Sequence, residues 1–217
     1  MPIVVSDIEG TLTTGSSWKA LQRYYLTYLN PWAYRLFILC WLPRYPLVKA
    51  GILDREKAMT EWMHREINLL KGFSPDEFNE VAEWIVENEM WSQRRDYMVK
   101  ELKKHKRSGI KIVLVSSAYQ PLVDLFADHI GADGIGSSLI YQENKLNGVV
   151  RPVNAYQQKA DNILARYKNE KIAAAYGDTM SDLPMMEISQ EPVAVTPSPE
   201  LRKIAEHRGW RIIDGPE

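Results

Sequence analysis

Short apolar runs alternate with segments of helical spacing over the C-terminal two thirds of this chain. That alternation is interrupted once, near the start. Ile3-Val4-Val5 is a β-branched run with no polar positions between, so it predicts a strand buried on both faces. Apolar residues then recur at helical intervals for about 90 residues. Trp18, Leu21, Tyr25 and Leu29 trace one stripe, which stops near Asn30-Pro31. A second helical piece covers 32–42, and a third opens at Asp54 as N-cap and carries Ala58, Trp62 and Ile67. A fourth starts at Ser74-Pro75-Asp76-Glu77, with Ser as cap and Pro in the first turn.

After a basic helix over 92–107 and the stop Ser108-Gly109, the pattern changes. A buried strand is predicted over 110–115, ending in Ser116-Ser117, followed by a helix over 121–130. A strand and hairpin turn around Glu143-Asn144-Lys145, and a helix covers 154–167. The buried strand over 172–176 ends in Gly177-Asp178, and a short helix, a strand, a helix and a last strand complete the chain. Strand alternating with helix predicts an α/β fold, a parallel sheet covered on both faces. The early helical block reads as an insertion. Residues 1–14 and 91–217 are expected to form the α/β core, and 15–90 a helical cap.

Composition narrows the function classes. The chain has 217 residues, enough for one core and a smaller insertion, and 45% apolar content excludes disorder. A net charge of −1 gives no reason to expect nucleic acid as a partner. The most apolar stretch, 36–42, is bracketed by Arg35 and Arg44 and followed by Pro43 and Pro46. It is too short for a transmembrane segment, which needs roughly 20 residues. Met1-Pro2 runs straight into a strand, so no signal peptide is read, and the single Cys40, an inert residue in an apolar run, fits a reducing compartment. The expected location is cytoplasmic. His64, His105, His129 and His207 show no ligand spacing, so no zinc site is expected. The basic run from Lys100 to Arg107 reads as a solvated helix face.

The chemistry gathers at strand ends. Asp7 and Glu9 follow the first buried run, Ser116 the second, and Asp178 with Asp182 the third. In a parallel sheet these ends share one edge, where ligands bind. Lys159, on the helix before the third run, reaches the same edge. Two close carboxylates repel unless a cation or a shared proton lies between them. Several carboxylates with one hydroxyl and one ammonium suit a hard divalent cation such as Mg²⁺ and an anionic substrate.

Asp7-Ile8-Glu9-Gly10-Thr11-Leu12-Thr13, Val115-Ser116, Lys159 and Gly177-Asp178-Thr179-Met180-Ser181-Asp182 resemble, in order, the four motifs of the haloacid dehalogenase superfamily. The helical insertion resembles the cap of its phosphoserine-phosphatase-like branch. The resemblance implies a Rossmann-like core and a Mg²⁺-dependent phosphatase acting on a small-molecule phosphomonoester through an aspartyl-phosphate. It makes Asp7 the nucleophile and assigns Mg²⁺ to the Asp7 side chain, the Glu9 backbone carbonyl and Asp178. Asp182 orients water ligands or Lys159. Ser116 donates to a phosphoryl oxygen, with Ser117 as the alternative if the strand end slips by one. Lys159 offsets phosphoryl charge, and Thr11 joins the substrate-binding positions.

Glu9 stands where most phosphatases of the superfamily carry Asp as general acid and base. Enolase-phosphatases share Glu there, so it favours a phosphatase over a transport ATPase or a dehalogenase. Gly15-Ser16-Ser17-Trp18 lacks the acid that phosphoserine phosphatases use for the substrate amine, and Ser117-Ala118-Tyr119 replaces their Gly-Gly. Phosphoserine is therefore not the expected substrate. Two alternatives stay open: a phosphotransferase using the same residues, and a catalytically weak binding protein whose aromatic cap is the working surface. Nine aromatic residues lie between Trp18 and Tyr45. They either pack the cap and its seam with the core, or form an exposed face for a hydrophobic substrate, a homodimer partner or a membrane surface.

Overall fold

The apolar runs meet in a single parallel sheet in the computed structural model of the chain, which describes residues 2–215. Its strands are β1 (Ile3–Ser6), β2 (Lys111–Tyr119), β3 (Asp133–Ser137), β6 (Ile172–Gly177), β7 (Glu191–Val195) and β8 (Arg211–Ile213). A separate antiparallel hairpin, β4 (Leu139–Gln142) and β5 (Lys145–Val150), lies between β3 and β6 in the chain. The sheet order is β3-β2-β1-β6-β7-β8, with every pairing parallel. The order reverses between β1 and β6, and a crevice opens at such a switch point.

Both faces of the sheet are covered, as the uninterrupted apolar runs require. Val4, Ile112, Leu114 and Tyr176 point to one core, and Val5, Val113, Val115 and Ala175 to the other. The second face is covered by α8 (Gln157–Arg166), α9 (Leu183–Glu187) and α10 (Pro199–Arg208), through Ile163, Met185 and Leu201. The first carries α6 (Asp96–Arg107) and α7 (Gln120–Asp128), through Met98, Leu102 and Phe126.

The helical block comprises α1 (Ser17–Tyr28), α2 (Pro31–Trp41), α3 (Arg44–Lys49), α4 (Arg55–Asn68) and α5 (Pro75–Ile85). The predicted caps form at Asp54, which accepts from Lys57 N–H, and at Ser74, which makes a reciprocal capping box with Glu77; Asn30, where the first stripe stops, also caps α2 by accepting from Trp32 and Ala33 N–H. The block does not sit apart from the sheet. Tyr25, Tyr34, Ile67 and Phe78 share one continuous core with Leu114, Tyr119 and Phe126. The hairpin joins it from the other side, with Leu146 N–H donating to Phe73 O at 2.7 Å and Gly72 N–H to Leu146 O at 2.8 Å.

Four local readings change. The second buried strand does not end before Ser116 but runs on through both serines to Tyr119, with its pairing to β3 shifted after Val115. α6 starts at Asp96 rather than Ser92, because 93–95 pair with the outgoing chain: Arg95 N–H bonds Leu12 O at 2.6 Å and Thr14 N–H bonds Gln93 O at 3.1 Å. The short α3 forms around Pro46 where the prolines suggested a break, and a single π-helical turn, Val86–Trp91, extends α5. Cys40, read as inert in its apolar run, is exposed.

Candidate active site

β1 delivers Asp7 to the switch point, and the ladder continues one residue further: Asp7 N–H donates to Tyr176 O at 2.9 Å. The chain then folds back tightly, with Gly10 N–H on Thr13 O and Leu12 N–H on Ile8 O, both at 2.8 Å. Gly10 has φ +87°, and a Cβ there would lie 2.0 Å from an Asp178 carboxylate oxygen. Only glycine lets this turn approach the end of β6 so closely.

Lys159 joins the motifs. Its ammonium, buried near the start of α8, donates to Asp7 Oδ1 and to Asp182 Oδ1, each at 2.6 Å. The second Asp182 oxygen accepts from Asp178 N–H at 3.1 Å, Thr179 N–H at 2.9 Å and Thr179 Oγ1 at 3.1 Å. Burial would raise the Asp182 carboxyl, but Lys159 and these donors hold it below the usual range. Burial would likewise lower Lys159, but Asp182 and Asp7 keep it above the usual lysine value.

Asp7 and Asp178 behave in the opposite way. Burial pushes Asp7 up to about 7 even with Lys159 opposing, and Asp182 and Glu9 add to the rise. Burial, Asp7 and Asp182 push Asp178 up to about 9, and its side chain accepts only from Thr11 Oγ1 among the described hydrogen bonds, at 3.3 Å. Carboxylate oxygens of Asp7, Asp178 and Asp182 lie within 4.8 Å of one another. With Asp182 occupied by Lys159 and backbone N–H groups, Asp7 and Asp178 are the pair short of positive charge. A hard oxygen-binding cation fits that need.

The remaining predicted residues fall around this centre in different ways. Thr11 is fully buried with its hydroxyl turned to Asp178, which places it behind a carboxylate. Ser116 is buried at 1% exposure, and its Oγ accepts from Ala118 N–H at 3.2 Å, leaving the hydroxyl proton to donate. Ser117 and Glu9 both line a cavity of about 400 Å³ that runs under the helical block. Burial raises the Glu9 carboxyl above its usual value, against the hydrogen bond it accepts from Ser17 Oγ.

Four contributors were not foreseen. Ser17, at the first turn of α1, holds the Glu9 carboxylate from the helical block. Asn154 Nδ2 donates to Ser116 O and Ile135 O, both at 2.9 Å, and Ser137 Oγ donates to Ser117 O at 2.7 Å, so the serine pair is fixed from behind. Glu66, on α4, is a buried carboxylate lining the same cavity. A serine beside Trp18, an asparagine after Pro152 and a glutamate in a charged helix carry no pattern of their own.

The aromatic residues divide between the two expectations. Tyr25, Tyr34, Phe37 and Trp41 are buried, whereas Tyr28, Trp32 and Tyr45 are 57%, 73% and 62% exposed. No described helix is long and apolar enough to cross a membrane.

The sequence model of the haloacid dehalogenase-like hydrolases matches residues 4–187. A phosphoserine phosphatase of Mycobacterium tuberculosis is 23% identical over 225 residues, covering 96% of this chain and 69% of that protein. A Bordetella pertussis protein of unknown function superposes with a TM-score of 0.82 at 22% identity, over 98% of both chains. A phosphoserine phosphatase solved with a phospho-aspartyl intermediate analogue superposes with a TM-score of 0.67 at 17% identity, over all of this chain and 94% of that one.

Proposed function

The chain belongs to the haloacid dehalogenase-like hydrolases, and from that premise we propose that it is a phosphatase hydrolysing a small-molecule phosphomonoester with Asp7 as nucleophile. One observation carries this reading: a buried lysine neutralises one oxygen of Asp7 while a second, charge-deficient carboxylate, Asp178, shares the site. Residues 15–90 act as the cap and the rest as the core. The exposed free thiol of Cys40 fits a reducing, cytoplasmic setting.

Asp7 and Asp178, with the Glu9 backbone carbonyl, would hold Mg²⁺, which when bound neutralises phosphoryl and carboxylate charge. The chain's own groups do the rest. The Asp7 oxygen not bound to Lys159 attacks phosphorus, and the ester P–O bond breaks as the aspartyl-phosphate forms. Glu9, whose carboxyl burial raises above its usual value, gives its proton to the departing alkoxide. Its carboxylate then takes a proton from water, whose oxygen attacks phosphorus, releasing phosphate and restoring Asp7. Ser116 and Lys159 donate to the phosphoryl oxygens, and Asp182 keeps Lys159 in place. Ser17 couples the acid to the cap, so Glu9 is aligned when the cap is seated.

The test is phosphate release from a phosphomonoester panel with Mg²⁺, with chelator, and with Asp7→Asn. Release that requires both Mg²⁺ and Asp7 is the expected result. Release that survives chelation or the substitution contradicts the reading.

A further inference from the structure

We infer that the cavity under the cap receives the leaving group as an organic cation, so that the substrate is the phosphomonoester of an amino alcohol with its ammonium head among Trp18, Trp41 and Trp62, beside the Glu66 carboxylate. The inference rests on the phosphatase reading and names the substrate class for the same site.

The cavity of about 400 Å³ is lined by Glu9 and Ser117 at the sheet edge and by Glu66 on α4. Apart from two tyrosines, its ionisable lining groups are the carboxyls of Glu9 and Glu66, and among the described residues no lysine, arginine or histidine lines it. Its walls are aromatic. Trp62 meets Trp18 at 6.1 Å and 82° and Trp41 at 5.3 Å and 81°, so successive indoles stand nearly at right angles, as the sides of a box. Indole faces attract cations through their quadrupole, and a quaternary or primary ammonium gains most in a dry site.

Glu66 gives the box its polarity. It is 3% exposed, and its two oxygens accept separately from Tyr34 OH at 3.2 Å and Tyr119 OH at 3.1 Å. The two phenols come from α2 and from the end of β2, so cap and core together hold the carboxylate at one position. The Trp62 side chain also bonds this carboxylate, which leaves one of its four lone-pair positions open. A buried carboxylate without a counter-charge is costly, and among the described residues no cationic side chain lining the cavity supplies one: Lys19 and Arg44 lie over Trp18 and Trp41 at 5.5 and 5.4 Å but do not line it. A neutral apolar leaving group would fill the walls yet leave Glu66 uncompensated. An anionic one would face the Glu66 carboxylate. A cation satisfies walls and carboxylate together.

The test compares choline phosphate with its uncharged carbon isostere, 3,3-dimethylbutyl phosphate, alongside p-nitrophenyl phosphate as a reporter of hydrolysis alone. Wild type is expected to favour choline phosphate in kcat/KM by at least about tenfold. In Glu66→Gln and in Trp18→Leu that ratio should fall toward one, with folding checked by circular dichroism. Trp18 is 44% exposed, so its replacement is a mild perturbation of the core. Tetramethylammonium should also perturb tryptophan fluorescence in wild type at concentrations where 3,3-dimethylbutanol does not. Turnover of p-nitrophenyl phosphate with no preference between the paired esters overturns the cation inference and leaves the phosphatase reading standing. No Mg²⁺-dependent turnover of any ester overturns both.

Discussion

Lys159 shows how much one side chain can determine. It is 2% exposed and offsets two carboxylates at once, so its removal leaves Asp7 and Asp182 buried without their partner. Lys159→Met is expected to abolish turnover and to cost about 3–5 kcal/mol near neutral pH. The cost should shrink in acid, where the carboxyls can take up protons. Urea denaturation at two pH values checks this, and equal losses at both would contradict it. Glu66 gives a second test at this scale. Burial pushes it up to about 7 from 4.5, despite the tyrosine hydrogen bonds, so between those values the folded chain binds its proton more tightly than the unfolded chain does. Stability must then fall as pH rises through that window. Glu66→Gln removes this contribution, so its melting temperature should fall less steeply than that of wild type over the same range. Parallel curves would contradict the assignment. Asp7, Lys159 and Asp182 were legible in the sequence because each is an unusual residue next to a buried apolar run or on the helix leading into one. Ser17 and Glu66 were not, because their meaning depends on partners brought from other elements.

At the scale of elements, local chemistry predicted the helix starts well where a side chain does the capping, as at Asp54 and Ser74. It failed where tertiary pairing overrides local preference. β2 continues through Ser116 and Ser117 because β3, Asn154 and Ser137 hold its end. The delayed start of α6 has the same cause: 93–95 are drawn into pairing with 12–14 at the crossing between core and cap. That crossing is tightly packed. Thr13 Oγ1 donates to Met90 O at 2.6 Å, and a Cβ on Gly15 would lie 2.1 Å from Glu89 O. Gly15→Ala must therefore push the two segments apart, with an expected loss of about 1–3 kcal/mol and weaker alignment of Ser17 on Glu9. Thermal unfolding together with kcat would show it, and an unchanged variant would mean that the crossing yields freely.

For the molecule as a whole, alternation of buried strands and helices was enough to foresee the parallel sheet and the edge at which its ligands gather. The reversal of order between β1 and β6 was not visible in any run. Yet it is what brings Asp7 and Asp178 together. The separateness suggested by an insertion is also qualified, since the helical block shares a continuous core with one face of the sheet. The helical block and the sheet edge thus enclose the cavity jointly, and Glu9 is held from the block by Ser17. The central claim is that Asp7 carries the phosphoryl group. The most direct measurement is acid-quenched turnover with Mg²⁺ and a hydrolysed phosphomonoester, followed by peptide mass spectrometry. Phosphate on Asp7 in wild type, and on no residue in Asp7→Asn, is the predicted result. Undiminished phosphate release by Asp7→Asn, or label on another residue, would contradict it.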